Sequence, residues 1–414
     1  MKKKWAFSLL LGVGLVLAGC SSNSDSSNKQ SSLQMIVSGD TNEGSAYQKM
    51  AEQYKEETGV TIEIVDVPYD DLVTRITSSV QADNVPALAR VSSVDPSWKD
   101  HLLDLQTIAD KKNVTDNLVM ADSEGIVRAL PSDLTAVGMY INTDLFEKAG
   151  VSFPKAGEEP WTWDEFLSDL DTVLEKTDAR YGMVMDASDH RLRAFTYQFG
   201  GKDFYPDENG DYTTNPETIT ALEKFVELND NRIMPKSVWT SGEDPSSMFK
   251  SGQVAAYISG VWQVTDFSQN IENFKWQSVY MPYEKVRATN LGGNFNIAFD
   301  GSGQEDEALA FLDWLYTKEN YEQLATYAGY LPVIDNAEID YGENQKSVEI
   351  YLDEMEASDP ISSKQMTEQV NTQLSGKQGL TGSYADAMKR VINGEITVEE
   401  AVDLTIKDYE AGNK

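Results

Sequence analysis

The chain has 414 residues, with 34 Lys and Arg against 68 Asp and Glu, a formal charge of −34, 40% hydrophobic residues, one cysteine and two histidines. A field of that sign repels nucleic acid and anionic lipid and leaves no basic stripe for phosphate, so polyanion partners are disfavoured. A single cysteine excludes a disulfide within the chain, and with only His101 and His190 beside it, Cys/His zinc sites and Ser-His nucleophilic pairs are close to excluded. No Asp-x-Asp-x-Asp-Gly calcium loop occurs, and no metal or cofactor is expected.

Lys2, Lys3 and Lys4 open the chain, an apolar run follows from Trp5 to Leu17, and small residues lead into Cys20. The run falls short of the roughly 20 residues a spanning helix needs, which marks residues 1–19 as an export signal to be removed. Leu17-Ala18-Gly19-Cys20 resembles a bacterial lipobox, and the resemblance implies lipidation of Cys20 and a palmitate-type lipoprotein anchor on the extracellular face of the cell membrane, in a Gram-positive bacterium. Residues 20–32 (Ser21 to Ser32 reads SSNSDSSNKQSS) have nothing to bury after the cysteine and are expected to form a flexible tether.

Nearly 400 residues remain, more than the roughly 250–300 over which one core keeps growing, so two lobes are expected. Leu33 to Val37 reads as a strand, Ser38 to Glu43 as a turn and cap, and Tyr47, Met50, Ala51 and Tyr54 recur at helical spacing until Thr58-Gly59. A strand over Thr61–Val67 completes a βαβ unit, and a helix from Tyr69 to Ala82 and a strand around Leu88–Val91 continue the alternation. The loops after these strands, Gly39–Glu43, Pro68–Asp71 and Ser92–Trp98, lie where open α/β sheets bind ligands. A strand is expected over Ala136–Asn142, leading into a helix capped by Asn142 or Thr143.

The stretch Ala129–Gly150 resembles the signature of family-1 extracellular solute-binding proteins, the maltose- and oligosaccharide-binding components of ABC importers. There a Pro-x-Asp turn precedes an apolar strand ending in Tyr-Asn and an Asp-Leu-Phe-x-Lys-Ala-Gly helix. Pro131, Asp133, Asn142, Asp144, Leu145, Phe146, Lys148, Ala149 and Gly150 match, while Ser132 and Ile141 depart from the usual residues. Further motifs follow in the family's order: Pro160-Trp161-Thr162-Trp163-Asp164-Glu165-Phe166 with its capping box, Phe249 to Trp262, Asn290 to Phe295, Gly329-Tyr330-Leu331-Pro332, and Asn393 to Ala401.

The resemblance implies an α/β, two-lobed periplasmic-binding-protein-like fold, each lobe a sheet flanked by helices, with the ligand cleft at the lobe interface. Crossings near Gly138–Asn142, Tyr280–Tyr283 and Leu315–Asn320 would build one lobe from residues 33–138 plus 284–316 and the other from 139–283 plus 317–414. It further implies a monomer that is not an enzyme, binding a small-molecule carbohydrate and handing it to the membrane permease subunits of an ABC importer. Sugar recognition needs aromatic faces and planar polar groups. Trp98, Trp239, Trp262, Phe295 and Tyr330 stand beside glycines, prolines or loop polar residues and are candidate platforms, with core packing the competing role for each. Trp262 is favoured, because Gly260 before it lacks a side chain and would let ligand come near the backbone, and in the family the aromatic two residues after this glycine commonly stacks on sugar; Trp161, Trp163, Trp276 and Trp314 read as structural. Glu43, Asp95 and Asn294 are the candidate polar partners. His190, Arg191 and Arg193 form a basic cluster, open to a surface ion-pair role or to contact with an acidic sugar or sugar phosphate. Two alternatives come from other classes: a lipid-anchored glycoside hydrolase, which needs two carboxylates about 5–10 Å apart across a cleft, and a surface adhesin.

Overall fold

The computed structural model describes residues 33–115, 118–378 and 383–412. The expected signal peptide, Cys20 and the expected tether therefore lie outside the described residues.

β1 (Leu33–Val37), α1 (Ala46–Thr58) and β2 (Ile62–Asp66) make the expected unit, with β1 and β2 parallel. α1 buries Tyr47, Met50, Ala51 and Tyr54 along one face. Asp40 accepts the backbone N–H groups of Tyr47 (2.7 Å) and Gln48 (3.2 Å), two donors the first turn cannot satisfy itself. Gly59, at φ +79°, closes the other end in the left-handed conformation and returns its N–H to Lys55 O. α2 (Tyr69–Gln81), β3 (Leu88–Val91), α3 (Gln106–Lys112) and β4 (Met120–Ala121) follow.

β5 (Val127–Asn142) then leads into α4 (Thr143–Ala149), whose N–H at Leu145 is capped by the Asn142 side chain at 3.2 Å. α5 (Trp163–Lys176) starts in the expected Thr162/Glu165 capping box. Next come β6 (Tyr181–Met185), α6 (Asp189–Gln198), the short pair β7 (Tyr205–Pro206) and β8 (Tyr212–Thr213), α7 (Pro216–Leu228), α8 (Lys236–Ser241), α9 (Pro245–Lys250), β9 (Val254–Gly260), α10 (Gln263–Asn270) and β10 (Trp276–Val279). The chain finishes with β11 (Leu291–Ala298), α11 (Glu305–Leu315), α12 (Lys318–Ala328), α13 (Gln345–Ala357), α14 (Lys364–Leu374), α15 (Ser383–Ile392) and α16 (Val398–Gly412).

One sheet of nine strands runs through both halves in the order β2-β1-β3-β11-β5-β9-β6, with β4 and β10 also on β5. The joint is β5 itself: its first part pairs with β4 and β11, its second with β9 and β10. This strand begins nine residues earlier than the expected Ala136, at Val127, and the expected Pro131–Asp133 turn is a bulge inside it. Asn294 faces Asp133 and Phe295 faces Pro131, so Ser132 is the extra residue. Proline removes one ladder donor there, and buried tyrosines supply donors to the local carbonyls instead: Tyr316 to Pro131 O at 2.8 Å and Tyr321 to Ser132 O at 3.0 Å.

Hydrophobic packing divides the molecule. One core gathers Ala136–Ile141, Phe146, Trp163, β6, β9, Phe267 and, from the end of the chain, Val348, Tyr351, Tyr384 and Met388. The other side holds two clusters: Leu33, Tyr47, Leu130 and Phe311 in one, Ile36, Ile76, Val91, Trp98 and Phe295 in the next. The third expected crossing, near Leu315–Asn320, does not coincide with this division. α12 follows α11 after a single turn and returns Tyr321, Leu324, Ala325 and Ala328 to the first side, where Tyr330, Val333 and Ile334 also pack while Leu331 between them joins the other core.

Candidate cleft between the two lobes

A cavity of about 710 Å³ opens between the two sides, within the size range of small-molecule sites. Its first wall comes from strand ends, as an open α/β sheet requires: Gly39 and Glu43 after β1, Tyr69 and Asp70 after β2, Arg90, Ser92 and Ser93 at β3. The opposing wall is Ser188, Asp189, His190 and Arg191 at the start of α6 with Trp262 after β9. Leu291 to Phe295 form part of the lining, and Gln365, Met366, Gln369 and Val370 of α14 a further side.

The first wall is organised by Arg90, only 3% exposed. Its guanidinium pairs with Asp133 Oδ1 at 2.8 Å and Glu43 Oε2 at 2.9 Å, donates from Nε to Ser132 Oγ at 3.1 Å, and stacks 4.8 Å from the centre of the Tyr330 ring. The bulge at Ser132 is what directs Asp133 onto this group, and Asn294 Nδ2 donates to Asp133 Oδ2 at 3.1 Å. Tyr330 donates its hydroxyl to Glu43. Burial pushes the Glu43 carboxyl up to about 7, against the pull of Arg90, while Asp133 adds to the rise.

On the opposing wall the guanidinium of Arg191 lies 4.5 Å from the Trp262 ring centre and pairs with Asp186 Oδ2 at 2.5 Å. Asp186 also accepts the hydroxyls of Tyr257 and Ser259. Arg191 Nε is buried with no partner among the described residues. His190 approaches Asn290 Nδ2 through Nδ1 at 2.6 Å, and burial, with Arg191 next, lowers its pKa to about 3, so it is neutral. Gly260 is small because of Trp262: a Cβ there would stand 2.0 Å from the indole, which means the missing side chain admits the ring and leaves that space to it, where the sequence suggested room for ligand.

Of the residues singled out from sequence, Glu43, Trp262, Asn294 and Phe295 line this cavity. Tyr330 is buried one layer behind, holding Glu43 and Arg90. Three do not reach it. Asp95 caps the short turn Pro96–His101 by accepting Ser97 N at 2.9 Å. Trp98 is fully buried, edge-on to Phe299, its indole N–H spent on Thr77 Oγ1 at 3.0 Å. Trp239 packs edge-on against Phe225 in the second core. Large aromatics after a loop turned inward because a core was within reach. The basic cluster also divides: His190 and Arg191 face the cavity, whereas Arg193 is fully buried, bound to Asp203 Oδ2 at 2.7 Å and the Tyr409 hydroxyl at 2.7 Å.

Arg90, Asp133 and the α14 face were not anticipated. A charge inside the otherwise apolar Leu88–Val91 run was a usable signal, since a buried charge requires a partner. Among the described residues no group of three or more His, Cys, Asp or Glu side chains could hold a metal ion, and no helix is long and apolar enough to cross a membrane.

The lactose-binding protein of Rhizobium radiobacter is 32% identical over 216 residues, 50% of this chain and 50% of that protein. An ABC substrate-binding protein of Listeria monocytogenes in complex with cycloalternan superposes with a TM-score of 0.75 at 19% identity, over 92% of this chain and 98% of that one. Maltose-bound MalE3 of T. maritima gives 0.74 at 18% identity, over 92% and 99%. The two structures share the fold, α/β and two-lobed, with a sheet flanked by helices. The pattern of the bacterial extracellular solute-binding protein family matches residues 49–347, and this chain belongs to that family.

Proposed function

We propose that this protein is a lipid-anchored receptor that captures a carbohydrate outside the cell in the inter-lobe cleft and delivers it to the permease of an ABC importer, without catalysis. The carrying observation is the cavity lining: a half-buried indole, Trp262, on one wall and orienting polar groups, Glu43 and Asn294, on the other, joined by neutral hydroxyl and amide groups at Ser92, Ser93 and Thr135. Aromatic faces suit the C–H faces of a pyranose, and planar polar groups suit its hydroxyls. Both cations of the lining, Arg90 and Arg191, are already paired with carboxylates, which favours an uncharged sugar over an acidic one. Lactose, maltose and cycloalternan, named for the relatives, are carbohydrates, in keeping with this reading.

In this account the lobes close on the sugar by a hinge at the segments joining the two cores. Cys20 carries the anchor, so Cys20→Ala moves the protein from the membrane fraction to the medium; unchanged processing and membrane retention would overturn the lipoprotein assignment. A thermal-shift screen against mono- and oligosaccharides tests the ligand class: a cognate sugar at 100 times its Kd stabilises the fold by about 2.7 kcal/mol. A panel without any shift argues against carbohydrate binding, and cleavage of an oligosaccharide by the purified protein would restore the hydrolase alternative.

A further inference from the structure

α14 packs differently from its neighbours in the chain. α13 and α15 bury Val348, Tyr351, Tyr384 and Met388 in the second core. α14, between them, buries Val370 and Leu374 beside Trp98, Val91 and Phe295 on the first side, and the Gln373 amide oxygen, itself buried, accepts the Val94 N–H at 3.0 Å. The chain thus leaves the second lobe after α13, anchors one helix to the first lobe, and returns.

That helix turns a second face to the cleft. Gln365 and Gln369, four residues apart and so on one side of the helix, both line the cavity. Gln365 Oε1 accepts Asn290 Nδ2 at 2.6 Å, and Gln365 Nε2 donates to Gln369 Oε1 at 3.3 Å. Asn290 in turn meets His190 Nδ1, is fully buried, and its Oδ1 finds no partner among the described residues. A line of amides therefore runs from His190 on the second wall to Gln369, whose Nε2 donates to no described residue although it borders the cavity. A planar amide held by its oxygen, with its NH₂ group open, suits the oxygen of a ligand hydroxyl. Gln365 fixes the plane and Gln369 presents the donors.

We propose that Gln369, oriented by Gln365, is a specificity-determining residue of the cleft, reading a carbohydrate hydroxyl from a helix that belongs to the first lobe although its chain neighbours belong to the second. This rests on the carbohydrate reading above. A site that hydrogen-bonds a hydroxyl discriminates strongly against ligands that misplace it, whereas a packing residue affects related ligands alike.

The test is calorimetric titration of the full protein, Gln369→Leu and Gln369→Asn with a panel of di- and oligosaccharides that includes lactose and maltotriose, together with unliganded melts. Gln369→Leu is expected to weaken the preferred sugar about tenfold or more, to change the ratio of affinities among the sugars, and to leave the unliganded melt near that of the unmodified protein. Gln369→Asn, with its donors withdrawn by one methylene, is expected to fall between. Affinities kept within about twofold for every sugar, or a uniform loss accompanied by a lower melting temperature, overturn the assignment. If the unmodified protein binds no sugar of the panel, the carbohydrate reading falls and this inference with it.

Discussion

The two walls of the cleft present charge in opposite ways. On the first, Arg90 is buried at 3% exposure and holds two carboxylates, one of them, Glu43, at the cavity surface. On the second, Arg191 is partly exposed, keeps one carboxylate, leaves Nε unpartnered among the described residues and lies against the half-buried Trp262. A buried ion cannot relax when a partner is lost, whereas a partly exposed one is rescued by water. The first wall is thus a frame whose polar groups are held in place by buried ion pairs, and the second presents a half-buried aromatic face seated beside Gly260.

The largest effect expected from this contrast is on folding. Arg90→Met strands the buried Asp133 carboxylate and takes the cation from Glu43 at the cavity wall, and should cost about 3–5 kcal/mol in urea denaturation, while Arg191→Met, with Asp186 still served by Tyr257 and Ser259, should cost about 1 kcal/mol or less. Equal costs would erase the distinction between the walls.

Binding should show the reverse ranking. Trp262→Ala is expected to lose about 2–4 kcal/mol of affinity, roughly thirty- to a thousand-fold, with a nearly native unliganded melt. Gly260→Ala, whose new Cβ would meet the indole at 2.0 Å, must displace the ring and should weaken binding in the same direction. A lowered melt with affinity kept would make Trp262 a packing residue.

A smaller effect concerns pH. With its carboxyl pushed up to about 7 from 4.5, Glu43 favours the unliganded fold fully below 4.5, and that contribution is lost as pH rises through about 7. If ligand hydroxyls bond to the ionised carboxylate, affinity instead rises with pH, falling about tenfold per unit below 7, and sugar binding near pH 7 releases a proton. Glu43→Gln should flatten the profile. Titrations in two buffers of different ionisation enthalpy that show no proton release would rule out contact of ligand with the ionised Glu43 carboxylate.

Much of the first lobe could be read directly, because α1 and β1 to β3 follow simple periodicities, and the strand-end loops contribute Gly39, Glu43, Tyr69, Asp70, Ser92 and Ser93 to the cleft. The bulge at Ser132 could not, since its partner Asn294 lies more than 160 residues away and proline locally suggests a turn. The inward turn of Trp98 depended on Thr77 and Phe299, neither adjacent in sequence. α14 was invisible for a related reason: its helical pattern says which face is apolar, but only the fold says that this face belongs to the first lobe.

The claim that ligand is held between the two walls is tested most directly by small-angle scattering of the protein with and without a saturating sugar from the thermal-shift panel. Closure of the two walls on the sugar predicts a smaller radius of gyration in the bound state, and identical curves at saturation would contradict it.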